Sequence, residues 1–206
     1  MGLTRSGARC IKQPARAFVE VKDMVLYRFE GKEPKIGEGT YVSQSAEVIG
    51  DVFIGKQCYI GPGAKIRGDY GSILIGNKTS IEENCVLHAR PSETCKVGNM
   101  VTVGHGSILH NCTVRDYAVI GMGAIVSDYA VVGVWSVAGE GCVVKNKHLI
   151  EDRKIAVGVP AKIVGELSKD YKELWTSYKN LYAKLALKYP ETLEEARVCD
   201  GIRDCV

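Results

Sequence analysis

Aliphatic residues recur every six positions through most of the chain. A first long series spans 36–66, two shorter series follow over 75–87 and 97–109, and another long series spans 114–144. The residue four positions after each aliphatic is often small, and glycine often follows the aliphatic directly. A period of six matches neither the 3.6-residue turn of a helix nor long strand alternation. The first series consists of Ile36, Val42, Val48, Ile54, Ile60 and Ile66.

Short strands separated by tight turns explain this period. Three hexapeptide repeats form one triangular coil of about 18 residues, with the aliphatic residue inside and the small residue at the crowded corner. Stacked coils predict an all-β fold, a left-handed parallel β-helix over residues 24–165. In this register Cys58, Cys85 and Cys142 occupy small core positions, so we expect them to be structural.

The spacing becomes helical after the coils. A three- and four-residue repeat predicts a helix over 166–190 that packs on the coil, with Ser168 as its N-cap and Pro190 ending the pattern. Residues 1–23 are expected to form a disordered leader, and residues 191–206 a C-terminal tail. The apolar positions of the helix are Leu167, Tyr171, Leu174, Trp175, Tyr178, Leu181, Tyr182 and Leu185.

Three of the four histidines lie within 23 residues, in the part of the chain where the six-residue period is interrupted. Arg67, His88 and His110 each follow a core aliphatic at the same corner of successive coils. They should therefore stack in one outward-facing column, about 4.8 Å apart. His105 lies on the preceding side of the triangle and cannot join this column within its own chain. It could do so across a subunit boundary, for example in a closed threefold ring.

Two interpretations of the histidine column are open. Surface histidines are commonly no more than polar residues, but two stacked histidines beside an arginine would repel each other when protonated. The column is therefore a poor structural element, and metal binding is favoured. Three neutral imidazoles with one open position are typical of a catalytic zinc site.

Several motifs in residues 24–167 resemble, in order and spacing, those of a known family. They are Arg67-Gly68-Asp69, the stretch 75–84, Val86-Leu87-His88, Val103-Gly104-His105, Ile108-Leu109-His110, Gly121-Met122-Gly123-Ala124 and the stretch 158–162. The family that they resemble is the gamma-class carbonic anhydrases. The chain also resembles relatives associated with phenylacetate and carnitine metabolism, including their C-terminal helix.

The resemblance implies a homotrimer with three metal sites at its subunit interfaces. His88 and His110 of one chain and His105 of its neighbour would bind Zn²⁺, or else Fe²⁺ or Co²⁺. It also implies that Arg67 pairs with Asp69 across the interface, and a purely structural role for that pair stays open.

Four positions depart from the family pattern. Its N-I-Q-D motif reads Ser80-Ile81-Glu82-Glu83 here, and Tyr70 stands where the most active members carry an acid. Glu82 could accept a proton, although its charge would also raise the pKa of a metal-bound water. The catalytic candidates are Arg67, Asp69, Tyr70, Ser80 and Glu82.

Three functions are compatible with these features. The first hypothesis is reversible hydration of CO₂ to bicarbonate by a metal-bound hydroxide, as in a carbonic anhydrase, which is a lyase. The second is acyl-CoA chemistry, above all metal-dependent thioester hydrolysis, because the same coil also carries hexapeptide acyltransferases. The third is a non-catalytic, metal-bearing trimeric subunit, because a fold alone does not determine function.

Composition excludes other classes of function. A formal net charge of +3 without a basic run argues against a nucleic-acid partner. The longest apolar runs are far too short to span a membrane. Eight cysteines without a C-x-x-C pair do not indicate a disulfide scaffold in a chain of 206 residues. We therefore expect a cytoplasmic protein.

Overall fold

The computed structural model describes residues 25–195, and they form a left-handed parallel β-helix followed by one α-helix. The predicted leader and most of the predicted tail lie outside the described residues. The strands are β1 (Val25–Tyr27), β2 (Lys35–Ile36), β3 (Tyr41–Val42), β4 (Glu47–Ile54), β5 (Tyr59–Ile60), β6 (Lys65–Ile75), β7 (Ser80–Ile81), β8 (Val86–His88), β9 (Thr94–Val97), β10 (Thr102–Val103), β11 (Ile108–His110), β12 (Thr113–Val114), β13 (Val119–Ile120), β14 (Ile125–Val126), β15 (Val131–Val132), β16 (Val137–Ala138), β17 (Val143–Val144), β18 (Leu149–Ile150), β19 (Lys154–Val157) and β20 (Lys162–Glu166).

The strands stack into three faces of a prism, and pairing between coils is parallel. The first, which we call the histidine face, contains β8, β11, β14, β17 and the first halves of β4 and β6. The second contains β2, β9, β12, β15, β18 and the second halves of β4 and β6. The third, the helix face, runs from β3 through β5, β7, β10, β13 and β16 to β19, with β20 added antiparallel at the end.

The core confirms the six-residue register. The inward aliphatic residues of successive coils, such as Ile66, Leu87 and Leu109, are fully buried. Cys58, Cys85 and Cys142 are also fully buried, as the small-residue position predicted. Burial raises the pKa of the Cys142 thiol to about 11 and that of Cys85 to about 12, which keeps both thiols protonated and unreactive near neutrality.

The helix α1 (Lys169–Thr192) has the predicted N-cap, because the Ser168 hydroxyl accepts a hydrogen bond from the Tyr171 amide. It begins three residues after the predicted start at 166, because Glu166 belongs to β20. It ends two residues later than predicted, since Pro190 lies inside its last turn. Proline removes one hydrogen-bond donor, and in the last turn that loss leaves most of the helix intact. Within residues 25–195, no helix combines the length and the apolar character needed to span a membrane.

A buried lysine anchors α1 to the helix face. The Nζ of Lys179 donates to the hydroxyl of Thr102 at 3.2 Å and to the carbonyl of Ala118 at 3.0 Å, and it lies 5.6 Å from the centre of the Trp175 ring. Burial lowers the pKa of this amine to about 7, and the nearby carboxylate of Glu82 opposes that shift.

Candidate metal centre

The strand register brings His88 and His110 together. Arg67 pairs with His88 across β6 and β8, and His88 pairs with His110 across β8 and β11. The predicted column of these three residues is confirmed. It lies at the end of the histidine face, where each coil turns toward the second face.

The outer nitrogen of His88 is fixed by a carboxylate. Its Nε2 lies 3.0 Å from Oδ1 of Asp69, whose other oxygen accepts a bond of 2.8 Å from Arg67. Burial acts to raise the pKa of Asp69, but the bonds from His88, the Tyr70 amide and Arg67 outweigh it, and that pKa lies below its usual range. An ionised carboxylate can only accept, so Nε2 of His88 carries the proton and Nδ1 is left with its lone pair.

His110 is fixed in the same way from the opposite side. Its Nδ1 lies 2.6 Å from Oδ1 of Asp128, and Arg90 donates to the other oxygen of Asp128, also at 2.6 Å. The bond from Arg90 is the main reason that the pKa of Asp128 lies below its usual range. Nδ1 of His110 therefore carries the proton, and Nε2 has the free lone pair. Sequence reasoning missed both Arg90 and Asp128.

The two unprotonated nitrogens face each other. Nδ1 of His88 and Nε2 of His110 are 3.3 Å apart, and when both imidazoles are neutral in these tautomers, neither donates to the other. Two lone pairs at this distance repel unless a cation lies beside both. For tetrahedral zinc with Zn–N bonds of about 2.0–2.1 Å, two imidazole nitrogens stand about 3.3–3.4 Å apart. The donor set therefore fits a tetrahedral divalent metal ion in both chemistry and spacing.

His105 lies elsewhere in the same chain. It occupies the turn between β10 and β11, where its Nε2 is 3.1 Å from Glu82 and its Nδ1 contacts Glu83. At about 3.3 Å per residue along β11, it is on the order of 10 Å from His110. Within one chain, residues 25–195 contain no group of three potential ligands that could hold a metal ion.

The structure does not bring all the remaining site candidates together. Tyr70 packs edge-on against His88, with ring centres 5.1 Å apart, so it joins Arg67 and Asp69 at the histidine pair. Glu82 contacts His105 instead, whereas Ser80 stands beside Thr102 in the strand register. Glu82 is 5% exposed, and its burial raises its pKa although the neighbouring His105 opposes the shift. Ser80 is buried at the helix face, and its hydroxyl has no hydrogen-bond partner in the described part of the chain.

An apolar stripe runs beside the histidine pair. Val86, Ile108 and Ile125 stand in register on three successive coils, and all three remain more than a third exposed. Val86 and Ile108 each lie two residues before a histidine of the pair, so they project from the same face. The surface around the histidines is thus apolar enough to pack against another protein surface.

Comparison with known proteins agrees with this architecture. An acetyltransferase of provisional assignment from Bacillus cereus matches with a TM-score of 0.80 and 30% identity, over 82% of this chain and 98% of that chain. A hexapeptide transferase family protein from Anaplasma phagocytophilum matches with a TM-score of 0.77 and 32% identity, over 80% of this chain and 98% of that chain. The fold and these likenesses define a hexapeptide-repeat protein of an acyltransferase-like superfamily.

Similar protein sequences identify the family more narrowly. The carnitine operon protein CaiE of Escherichia coli strain SMS-3-5 / SECEC is 36% identical over 184 residues, covering 87% of this chain and 93% of that protein. The same protein of strain K12 is 35% identical over 173 residues, covering 82% of this chain and 88% of that protein. The chain belongs to the family of these CaiE proteins, which confirms the predicted kinship with carnitine-operon relatives. No family model matches the chain, and carbonic anhydrase activity stays a prediction.

Proposed function

We propose that the protein is a metal-dependent hydrolase of acyl-CoA thioesters, with its active site where two copies of the chain meet. The observation that carries this proposal is the 3.3 Å spacing of Nδ1 of His88 and Nε2 of His110, the two ring nitrogens that do not contact Asp69 or Asp128. A general base in a plain acyltransferase needs one histidine with a free nitrogen. Two free nitrogens that converge on one point instead favour a metal ion.

His88 and His110 of one copy, with His105 of a second copy, would hold the ion. Zn²⁺ suits three imidazoles best, and Fe²⁺ or Co²⁺ can use the same donors. Bound there, the metal would supply a Lewis acid that polarises a carbonyl oxygen and makes water nucleophilic near neutral pH.

The second copy is supported by two features of the surface. His105 and the histidine pair lie at opposite ends of the histidine face, and the exposed stripe of Val86, Ile108 and Ile125 flanks the pair. A neighbour that buried this stripe in a closed threefold ring could bring its His105 to the pair. Glu82 would arrive with that His105, because its carboxylate lies 3.1 Å from Nε2 of His105 in the same chain.

The chain's own residues would orient the reaction. Asp69 and Asp128 keep the outer nitrogens of the two histidines protonated, which holds the inner nitrogens available as ligands. The side chain of Arg67 is 49% exposed and uses one N–H on Asp69, so its other donors remain free for a substrate oxygen. In the reaction water adds to the thioester carbon, the C–S bond breaks, and the released CoA sulfur takes up a proton. The products are a carboxylic acid and free CoA.

Two observations support an acyl-CoA substrate. The similar proteins from B. cereus and A. phagocytophilum are described as an acetyltransferase and a hexapeptide transferase. A cleft of about 320 Å³ also begins at Asn111, the residue after His110, and CO₂ alone would not need that space. The residues lining the cleft are Ser92, Glu93, Thr94, Lys96, Asn111, Thr113 and Tyr129.

CO₂ hydration is the second candidate function. It is favoured by the presence of Arg67 and Asp69 directly beside His88. The resemblance to gamma-class carbonic anhydrases implies that these two residues pair across the subunit interface, whereas here they contact each other within one chain. The same donor set would serve both reactions, since each needs an activated water and an electrophilic carbon.

One set of assays tests the proposal. The protein is purified without oxygen, its metal content per chain is measured, and hydrolysis of short, branched and aromatic acyl-CoA thioesters is followed by the release of free CoA. CO₂ hydration is followed in parallel by stopped flow. His110→Ala should abolish metal binding and hydrolysis, whereas His148→Ala, a change of the histidine outside the site, should preserve both. Metal at one ion per chain without thioester hydrolysis would overturn the proposal, and CO₂ hydration in that case would establish the second candidate.

A further inference from the structure

The histidine pair is the centre of a longer chain of contacts. In order it runs from Arg67 through Asp69 to His88, and from His110 through Asp128 to Arg90. The half formed by Asp128 and Arg90 comes from other parts of the fold. Asp128 follows β14, one coil beyond His110, and Arg90 lies in the loop between β8 and β9.

We propose that Asp128 is a positioning residue that selects the tautomer of His110, and that Arg90, by occupying the second oxygen of Asp128, makes a carboxylate necessary at that position. The inference rests on the proposed metal site, because its purpose is to keep Nε2 of His110 free of a proton. Asp128 is 7% exposed and does not face the partner nitrogen of His88, so it acts through His110 alone.

The geometry makes a specific demand on residue 128. One of its oxygens faces the N–H of His110, and the other faces the guanidinium of Arg90, which can only donate. A carboxylate meets both demands. The amide of asparagine has one oxygen and one NH₂ group and cannot accept from both sides.

Asp128→Asn should therefore switch the tautomer of His110. Arg90 would take the amide oxygen, and the amide NH₂ would then face Nδ1 of His110. Nδ1 would become the acceptor, and the proton would move to Nε2, where it blocks the metal. Removing Arg90 as well would let the amide rotate, so that its oxygen again accepts from Nδ1.

A positioning role for Asp128 and a purely structural ion pair predict different results. If the contact between Asp128 and Arg90 only stabilises the fold, Arg90→Ala and Asp128→Asn should be equally harmful. If Asp128 selects the tautomer, Arg90→Ala should leave His110 protonated on Nδ1, because the carboxylate remains. The double variant should then bind metal better than Asp128→Asn alone.

The test uses the full-length protein with ¹⁵N-labelled histidine, stripped of metal by a chelator. The nitrogen shifts of the four histidines report each tautomer, and His110→Ala assigns the relevant signal. Zn²⁺ affinity is measured separately by competition with a chelator. Asp152→Asn serves as the matched control, since Asp152 also pairs with an arginine, Arg115, but lies away from the histidines.

The expected pattern has three parts. Asp128→Asn shifts the proton of His110 to Nε2 and raises the Zn²⁺ dissociation constant about 10–100-fold. Arg90→Ala and Asp152→Asn keep the wild-type tautomer, and the double variant recovers much of the affinity. An unchanged tautomer in Asp128→Asn, or equal damage from Arg90→Ala, would overturn the inference. The tautomer is measured without metal or substrate, so a failure of the hydrolase proposal would leave this result interpretable.

Discussion

Nδ1 of His88 and Nε2 of His110 face each other at 3.3 Å, and the carboxylates of Asp69 and Asp128 hold the proton of each imidazole on its far side. Two free lone pairs at this distance form a potential binding site for a cation. The hydrogen bonds of each histidine thus prepare the pair before any metal arrives, as outer carboxylates do at known metal sites.

Cobalt substitution tests the four-coordinate geometry directly. Co²⁺ added to the metal-free protein should give the intense visible absorption typical of a four-coordinate site, because the ligand spacing suits a tetrahedral ion. His88→Ala should lose this absorption, and His148→Ala should keep it. A weak spectrum typical of six-coordinate Co²⁺ in the wild type would contradict the tetrahedral assignment.

Stability should depend on pH through Lys179. Its pKa is about 7 in the folded protein and 10.5 in the unfolded chain, so between these values the unfolded chain binds one more proton. The free energy of unfolding therefore rises with pH across that window, by up to about 1.4 kcal/mol per pH unit from this group.

Lys179→Met removes this titrating group while preserving much of the side-chain volume. Denaturant titrations at pH 7, 8, 9 and 10 should show the wild type gaining stability relative to Lys179→Met at each step. Lys184→Met, a change of a lysine on the exposed side of α1, is the control and should leave the slope unaltered. Parallel curves for wild type and Lys179→Met would show that the amine keeps its ordinary pKa.

A close contact between coils should make substitution of Gly50 strongly destabilising. Gly50 has a φ of +75°, and a Cβ there would overlap the carbonyl of Gly68, the residue between Arg67 and Asp69. Gly141 has a similar φ of +61°, but a Cβ there would meet nothing within 4 Å. Alanine at either position costs about 1–2 kcal/mol for the left-handed backbone.

Only Gly50→Ala adds the overlap, for which we expect about 1–3 kcal/mol more and weaker metal binding. Thermal unfolding and Zn²⁺ titration of the two variants measure both effects. Equal stability losses in Gly50→Ala and Gly141→Ala would show that the coils can separate at this point without penalty.

The exposed stripe beside the histidines should be a contact between copies. Ile108→Glu would place a charge in the middle of that contact, and burying an unpaired charge is strongly unfavourable. The variant should shift from an oligomer toward the monomer mass in sedimentation experiments at micromolar concentration. Leu149→Glu alters a leucine on the second face that is at least as exposed as Ile108, and it should leave the mass unchanged. Dissociation by Leu149→Glu and not by Ile108→Glu would contradict this prediction and place the contact on the second face.

The six-residue period was sufficient to predict the coil and the histidine column, because each coil fixes which residues stack. It could not reveal Asp128, which lies one coil beyond His110 and one residue further along its turn. Arg90 was equally hidden, since a loop between strands has no repeat to place it. Lys179 was missed because a charged residue interrupts the apolar pattern of α1, although its spacing from Trp175 and Ala183 matches the buried side of that helix.

The central claim is that one metal ion takes ligands from two copies of the chain, and co-expression of two defective chains tests it most directly. His105→Ala keeps His88 and His110, and His110→Ala keeps His105, so neither variant alone can complete a site. In randomly mixed oligomers from equal amounts of both chains, about one quarter of the interfaces would combine the intact parts. Neither variant alone should bind zinc, and the mixture should contain about one quarter of the wild-type zinc content. Full zinc content in His105→Ala alone, or none in verified mixed oligomers, would contradict it.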